Sequence, residues 1–596
     1  MPEKAANFAW SNPRVHQWFK ILTIAVFLGI LILCGSDGLS FHTDFPLSEF
    51  TILPQVQQPS SQDLNFGNIS AQFQIKNSNH THQNSSKTHQ NPSPNFSPNP
   101  LNLSKTPKKE NPRFNLSWVS PELEVNYSSN LLTKWLTPGG VPCKDSRTVD
   151  IKIQSLDSDS DSTIELSAGE VHEFVFQAID GSGEPHCLGG DYFETDLSGG
   201  NWKSRPPIKD FGNGTYVVSL QIHPDFAGNY NFTIILLYRH FEGLKFSPAR
   251  FVFDKVLRVI PIKFVNSNSN SHLPEVEQCK KFDFTKDVWS GRWTRHARNE
   301  NCRISNDGRY RCQKPSFPCV HPWCSGPLGL LESNGWVYST HCSFKLYSSE
   351  EAWNSLNNRW IFWWGDSNHC DTIRNILHFV LDVQSIPIVP RIFDMNITNP
   401  KNPSQKVRFT SIFNGHSNHT GNYQGLDSLS NPNYRELLKS YFTDTNVVPD
   451  TMIMNSGLHD GVHWPNIRQF IKGADFAASF WGDVMKGVRE RGFSPPVVIY
   501  RTTVATGGYA RSMAFNPQKM EVFNGVLLDK MKEYRVLDRV VDDFDMTYPW
   551  HYDNRCNDGV HYGRAPLKAK WRDGQIGHQY FVDLMLGHVL ISAMSP

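Results

Sequence analysis

The apolar positions of this chain change period along its length. From about residue 355 onward, compact apolar runs close on turn residues: "NRWIFWWGDSN", "PDTMIMNSGLHD", "PPVVIYRTT" and "VLDRVVDDFDMT". Such runs read as strands buried on both faces. Between them lie stretches with helical spacing, "CDTIRNILHFVLDVQ" and "NPQKMEVFNGVLLDKMKEYR", and "GQIGHQYFVDLMLGHVLISAM" reads as a last amphipathic helix. Strands alternating with helices predict a three-layer α/β/α domain with a mostly parallel sheet over residues 346–596. In such a sheet the active residues sit at the carboxyl ends of strands.

Residues 131–265 follow a shorter rhythm. "DIKIQSL", "TIELS", "HEFVFQAID", "GTYVVSLQIH", "NYNFTIILLY" and "ARFVFDKVLRVI" alternate apolar and polar positions, and Gly, Asn, Asp or Pro punctuate them about every ten residues. This is the pattern of an all-β sandwich, and it carries no evident chemistry. Residues 266–345 hold six cysteines together with Trp289, Trp293, Trp323 and Trp336, and read as a disulfide-stapled connector. His296 and His321 in this stretch read as surface or packing residues rather than metal ligands.

Upstream, residues 37–130 are rich in Asn, Ser, Pro, Gln and His and have no apolar period, so they predict a disordered stem. Before it, Ile21 to Ser36 carry no charge, while Lys4, Arg14 and Lys20 precede the run. That asymmetry keeps residues 1–20 in the cytosol and sends the rest into a lumen. The run reads as a signal anchor, with a cleaved signal peptide as the alternative because it is short and ends in small residues. Sequons at Asn68, Asn79, Asn84, Asn95, Asn102, Asn115, Asn126, Asn213, Asn231, Asn396 and Asn418 agree with a glycosylated luminal chain.

Composition narrows the function classes. Lys+Arg (58) and Asp+Glu (57) nearly balance over 596 residues, which argues against nucleic-acid binding through bulk charge. Of eleven cysteines, Cys34 lies in the apolar run. The other ten are Cys143, Cys187, Cys279, Cys302, Cys312, Cys319, Cys324, Cys342, Cys370 and Cys556. An even, clustered set without paired C-x-x-C knuckles predicts disulfides in an oxidising compartment and no zinc site.

The candidate chemistry is split between the two ends of the α/β region. Ser367 follows a strand inside Gly365-Asp366-Ser367 and starts a helix, where free backbone N–H groups can hold an oxyanion. A lone serine there is ordinarily an N-cap. Asp558 and His561, spaced D-x-x-H before the last helix, add a general base and the carboxylate that orients it. Asn455 and, more weakly, Gly415 are oxyanion donors by position, or turn residues. His459, His463 and His551 are the alternative bases. Arg501, at the end of the "VVIYR" strand, is a candidate contact for an anionic substrate, with a structural ion pair as the competing reading.

These residues carry a resemblance. A GDS elbow, an Asn after a later strand and a late D-x-x-H resemble the SGNH/GDSL hydrolases, and the layout is closest to their PC-esterase branch. "GSGEPHCLGGDYFE", "DFGNGTYVVSL", "DFAGNYNFTI" and "SPARF" resemble filamin-type immunoglobulin repeats, to which neurexophilin-like domains are similar. The order of modules over roughly residues 130–596 resembles the neurexophilin and PC-esterase domain family. The resemblance implies a multidomain chain: a filamin/immunoglobulin-like β-sandwich followed by a three-layer SGNH-like domain with Ser367, Asp558 and His561 as the catalytic set. It implies O-acetyl transfer onto glycan hydroxyls, sialic acid among them, with acetyl-CoA as acyl donor, a glycan or glycoprotein as partner, no bound cofactor, metal or nucleic acid, and a Golgi-luminal single-pass type II or secreted location. Carbohydrate O-acetyl esterase activity and a non-catalytic adhesion role are the alternatives.

Overall fold

The computed structural model describes residues 118–136, 141–154, 163–266, 277–295, 336–415, 424–443, 446–507, 513–551, 557–563, 570–571, 574–575 and 581–595. The apolar run, the stem as far as residue 117, most of the Cys-rich stretch with His296 and His321, the sequons up to Asn115 and at Asn418, and Cys556 lie outside the described residues; residues 118–130, expected to belong to the disordered stem, are ordered, and a helix begins at Tyr127. Among the described residues no helix is long and apolar enough to cross a membrane.

A short helix α1 (Tyr127–Trp135) precedes the strands β1 (Thr148–Ile153), β2 (Ile164–Ser167), β3 (His172–Asp180), β4 (Tyr192–Gly199), β5 (Trp202–Ser204), β6 (Ile208–Asp210), β7 (Thr215–Leu220), β8 (Gly228–Tyr238), β9 (Lys255–Val265), β10 (Arg292–Arg295) and β11 (Trp336–Ser339). They form a four-stranded sheet, β1-β3-β7-β6, and a seven-stranded sheet, β11-β10-β5-β4-β8-β9-β2. The alternation in the sequence places one side chain in two on a shared core. Phe176 and Tyr216 from the first sheet meet Phe193 from the second at ring separations of 5.2 and 4.9 Å. Residues expected to be a connector supply β10 and β11, which extend the larger sheet. Disulfides Cys143–Cys187 and Cys279–Cys342 tie this half.

The second half runs α2 (Ser349–Leu356), β12 (Arg359–Gly365), α3 (Ser367–Asn375), β13 (Ile392–Asn399), β14 (Asn402–Phe413), α4 (Pro432–Thr443), β15 (Thr451–Met454), α5 (Leu458–His463), α6 (Ile467–Glu490), β16 (Val497–Arg501), α7 (Pro517–Glu533), β17 (Arg539–Val541), α8 (Asp543–Thr547) and α9 (Phe581–Met594). Caps mark the helix starts: Ser348 and Glu351 form a capping box before α2, Asn466 caps α6, and Asn516 caps α7 ahead of Pro517. The sheet order is β13-β14-β12-β15-β16-β17, parallel except for β13. The mixed α/β character follows from the strand–helix alternation of the sequence.

Helices cover both faces of this sheet, and successive residues of β12 show it. Phe362 and Trp364 pack on Trp481 of α6 at 6.3 and 5.3 Å, whereas Trp363 packs on His369 of α3 at 5.2 Å. An unbroken apolar strand is the sequence mark of that double burial. Two expectations need correction. The last helix is not amphipathic: α9 is buried all round, because it sits against β16, β17, α3 and the seven-stranded sheet's β11 at once. The β13–β14 hairpin was not foreseen, since β13 lies at the sheet edge and exposes Ile392, Asp394, Met395, Asn396 and Thr398.

Two stability predictions follow from the core. Trp481 is fully buried against Phe362, Trp364 and Phe442. Trp481→Ala should therefore cost about 3–5 kcal/mol in chemical denaturation. Burial also pushes the His588 imidazole down to about 4, and its Nδ1 accepts the Tyr347 N–H at 3.0 Å. The unfolded chain thus binds a proton that the fold refuses, so stability falls as pH drops from about 6.5 toward 4. Unfolding midpoints across that range should show a shallower slope in His588→Gln than in the wild type; equal slopes would rule out this ring as a source.

Candidate active site

The site begins at the carboxyl end of β12. A Cβ on Gly365 would meet the His369 ring at 2.2 Å, so only glycine lets the helix approach the strand this closely. Asp366 caps α3 by accepting the Asn368 N–H at 2.9 Å, which puts Ser367 at the first helical position. Its backbone N–H belongs to the unpaired first turn, where the helix dipole favours negative charge.

Ser367 Oγ lies 2.8 Å from His561 Nε2. The opposite ring nitrogen, Nδ1, is 3.1 Å from both oxygens of Asp558. An ionised carboxylate only accepts, so the ring proton sits on Nδ1 and the Nε2 lone pair receives the serine O–H. The pair is about nine-tenths buried, with side chains 10% and 11% exposed, while Ser367 is half-buried. Three side chains from two distant segments thus form one relay, and Ser367 Oγ makes no other hydrogen bond among the described residues.

The turn carrying the base is held on every side. Asp558 Oδ1 also accepts the Val560 and His561 backbone N–H groups at 3.1 and 2.9 Å, so the carboxylate is locked before it meets the ring. Gly559 has φ 107°, a left-handed value that suits glycine. Its N–H donates to Asn557 Oδ1 at 2.8 Å and its carbonyl accepts from Gly507 at 3.0 Å. Asn557 Nδ2 in turn donates to Trp550 O at 3.0 Å, and Asn368 Nδ2 reaches across from α3 to Val560 O at 3.2 Å.

Beneath α3 lies a buried polar network that the sequence did not reveal. Arg501 Nε donates to Asp543 at 2.8 Å and its Nη1 to Thr372 at 3.1 Å. Thr372 donates to Asp583 at 2.6 Å, and Asn375 bridges Asp583 (2.6 Å) and Gly563 O (2.9 Å). Burial raises the Asp543 carboxyl to about 6 against the pull of Arg501. Arg501 is only 2% exposed. The expectation of a substrate contact is therefore corrected: the guanidinium is spent on a structural ion pair and on α3.

Asn455 is corrected as well. Its amide donates to Arg501 O at 3.0 Å and Thr503 Oγ1 at 3.2 Å, so both N–H bonds are used within the sheet edge. Gly415 follows Asn414, whose N–H donates to Gly365 O at 2.8 Å, so Gly415 sits beside the serine elbow. It is buried, and its N–H has no partner among the described residues. The alternative bases are engaged elsewhere: His551 with Glu194 at 3.2 Å and His463 with Asp427 at 3.1 Å, while His459 packs on Phe413 at 5.1 Å. Burial and nearby Arg501 hold the His369 imidazole far below its usual range, so it stays neutral.

No protein-family model and no curated protein sequence matches the chain. Solved structures similar to part of it include the following two. An α/β hydrolase from the metagenome of Lake Arreo, Spain, has 10% identity over 40% of this chain and 98% of that one, with a TM-score of 0.24. Toc33 from Arabidopsis thaliana, in complex with GDP and Mg2+, has 12% identity over 40% of this chain and 86% of that one, with a TM-score of 0.20.

The packing around the base generates one prediction. A Cβ on Gly507 would meet His551 O at 1.8 Å, and His551 and Gly507 both brace the Asp558–His561 turn. Gly507→Ala should move the turn and slow any reaction of Ser367 by at least about tenfold, because small misplacements at a reacting centre are costly. The measurement is the rate of covalent labelling by a serine-directed probe in a variant that remains folded by circular dichroism.

Proposed function

We propose that this chain is a serine-dependent acyl-transfer enzyme that moves O-acetyl groups onto glycan hydroxyls in the lumen of the secretory pathway. The observation that carries the reading is the Ser367–His561–Asp558 relay, with one Nε2···Oγ bond of 2.8 Å and a carboxylate on the far ring nitrogen. The neurexophilin and PC-esterase resemblance supports it, with the two-sheet unit read as the filamin-like sandwich and the second half as the three-layer SGNH-like domain. The disulfides support a luminal location. So does the exposure of the sequon asparagines Asn126, Asn213, Asn231 and Asn396.

The chemistry runs in two balanced steps. Ser367 Oγ attacks the acyl carbonyl of the donor, acetyl-CoA in this reading, as His561 Nε2 takes the hydroxyl proton. The imidazolium is stabilised by Asp558 and returns its proton to the departing thiolate, leaving an acetyl ester on Ser367. An acceptor sugar hydroxyl then attacks that ester while His561 removes its proton, and the proton finally goes to Ser367 Oγ. The Ser367 N–H at the helix start, with the Gly415 N–H beside it, supplies the oxyanion site. Water in place of the sugar would make the same residues an esterase.

The test uses a fluorophosphonate probe and then acetyl-CoA with defined glycans, read by mass spectrometry. Ser367→Ala should abolish labelling, and His561→Ala should slow it by on the order of 10²–10⁴-fold with little change in unfolding midpoint. Acetyl gained by a glycan identifies a transferase, and acetyl lost from an acetylated glycan an esterase. A folded wild type that neither labels nor turns over would sink the catalytic reading and leave an adhesion role.

A further inference from the structure

A cavity of about 390 Å³ lies where the two halves of the described chain meet, and neither Ser367 nor His561 lines it. Its floor is formed by Thr502 and Asp542, each one residue past the carboxyl ends of β16 and β17, and by Asp545. Pro207 and Ile208 of the four-stranded sheet form the opposite wall, and Tyr127 of α1 closes one side. The volume suits a small organic ligand, and crevices at the carboxyl ends of parallel strands are the usual place for one.

The sign of the lining selects the class of ligand. Acidic side chains along it outnumber basic ones seven to two. Both basic groups are already committed, Arg205 to Glu521 at 2.7 Å and Lys134 to Glu124 at 2.7 Å. Asp545 is the telling residue. It is 4% exposed, and its Oδ2 accepts the Gly291 N–H at 2.7 Å and the Tyr338 O–H at 2.6 Å. Its Oδ1 has no hydrogen-bond partner among the described residues. Asp542, beside it, uses both oxygens on Trp289 N–H, Thr502 O–H and Asp545 N–H. Burial and the neighbouring Asp542 raise the Asp545 carboxyl to about 7, and the guanidinium of Arg205 offsets this only in part.

The remaining walls are apolar and aromatic: Leu123, Tyr127, Val288, Trp289, Leu528 and Phe544. A hard metal ion needs several oxygen ligands converging on one point, and no three of the lining carboxylates bring their oxygens within 4.8 Å of one another. An ammonium on an apolar body fits both features, since rings attract cations over their faces. We propose that this cavity binds a small organic cation, a primary amine whose ammonium pairs with Asp545 Oδ1 and whose body lies against Tyr127, Trp289 and Phe544. The site is separate from the acyl-transfer relay and does not depend on it.

The test is isothermal titration of the full chain with benzylamine, with its neutral counterpart benzyl alcohol, and with calcium. Saturable benzylamine binding is expected, with benzyl alcohol at least about tenfold weaker and a loss of about tenfold or more in Asp545→Asn. Should that variant fail to fold, Leu123→Trp, which fills the cavity from its wall, is expected to block benzylamine equally. The proposal is overturned if benzylamine does not saturate, if the alcohol binds as well, if a folded variant binds like the wild type, or if calcium alone binds and Asp545→Asn abolishes it.

Discussion

A buried ion pair underlies the arrangement of the site. Arg501 and Asp543 meet at 2.8 Å with side chains 2% and 1% exposed. Taking two charges out of water is expensive, and such a pair persists only when further hydrogen bonds satisfy it. Here those bonds run upward: Arg501 to Thr372, Thr372 to Asp583, and Asn375 from Asp583 to Gly563. One network therefore fixes α3, which starts at Ser367, α9, which carries Asp583, and Gly563, two residues past His561. Removing Arg501 or Asp543 would leave a buried charge unmatched, and removing Thr372 or Asn375 would leave buried polar groups short of a partner.

The two halves of the described chain are joined by more than a linker. Trp293 of β10 donates to Met546 O at 2.8 Å, Lys203 of β5 to Pro549 O at 3.1 Å, and Glu194 of β4 pairs with His551 at 3.2 Å. Residues 546–551 lead through Asn557 into the turn that holds Asp558 and His561. The seven-stranded sheet thus braces the Asp558–His561 turn. That gives the two-sheet half a direct mechanical bearing on the site.

The parts legible in the sequence were those with local signatures. The unbroken runs of β12, β15, β16 and β17 announced buried parallel strands, and Gly365-Asp366-Ser367 announced an elbow. Asp558 and His561 were legible because three residues of spacing let one turn present both. What escaped notice depends on partners far along the chain. Nothing local distinguishes an Arg501 that meets Asp543 from one that meets a substrate. Likewise, nothing near Asn455 says that Arg501 O and Thr503 will absorb its amide protons. Asn557, Thr372 and Asp583 read as ordinary polar residues until the chain closes. The β13–β14 hairpin was missed because an edge strand leaves much of its length in water and so lacks the apolar regularity of its neighbours.

The fully buried α9 has a bearing on how the protein is made. Every strand of the parallel sheet precedes it, so each leaves the ribosome before the element that covers β16 and β17 has been synthesised. Every strand of the two-sheet half has been made by that stage and can mature early, whereas the second half must wait with an apolar surface uncovered. Nascent chains should accordingly spend longest in the care of folding assistants late in translation, and substitutions within α9 should lower the yield of folded protein more sharply than comparable ones in β1 or β3.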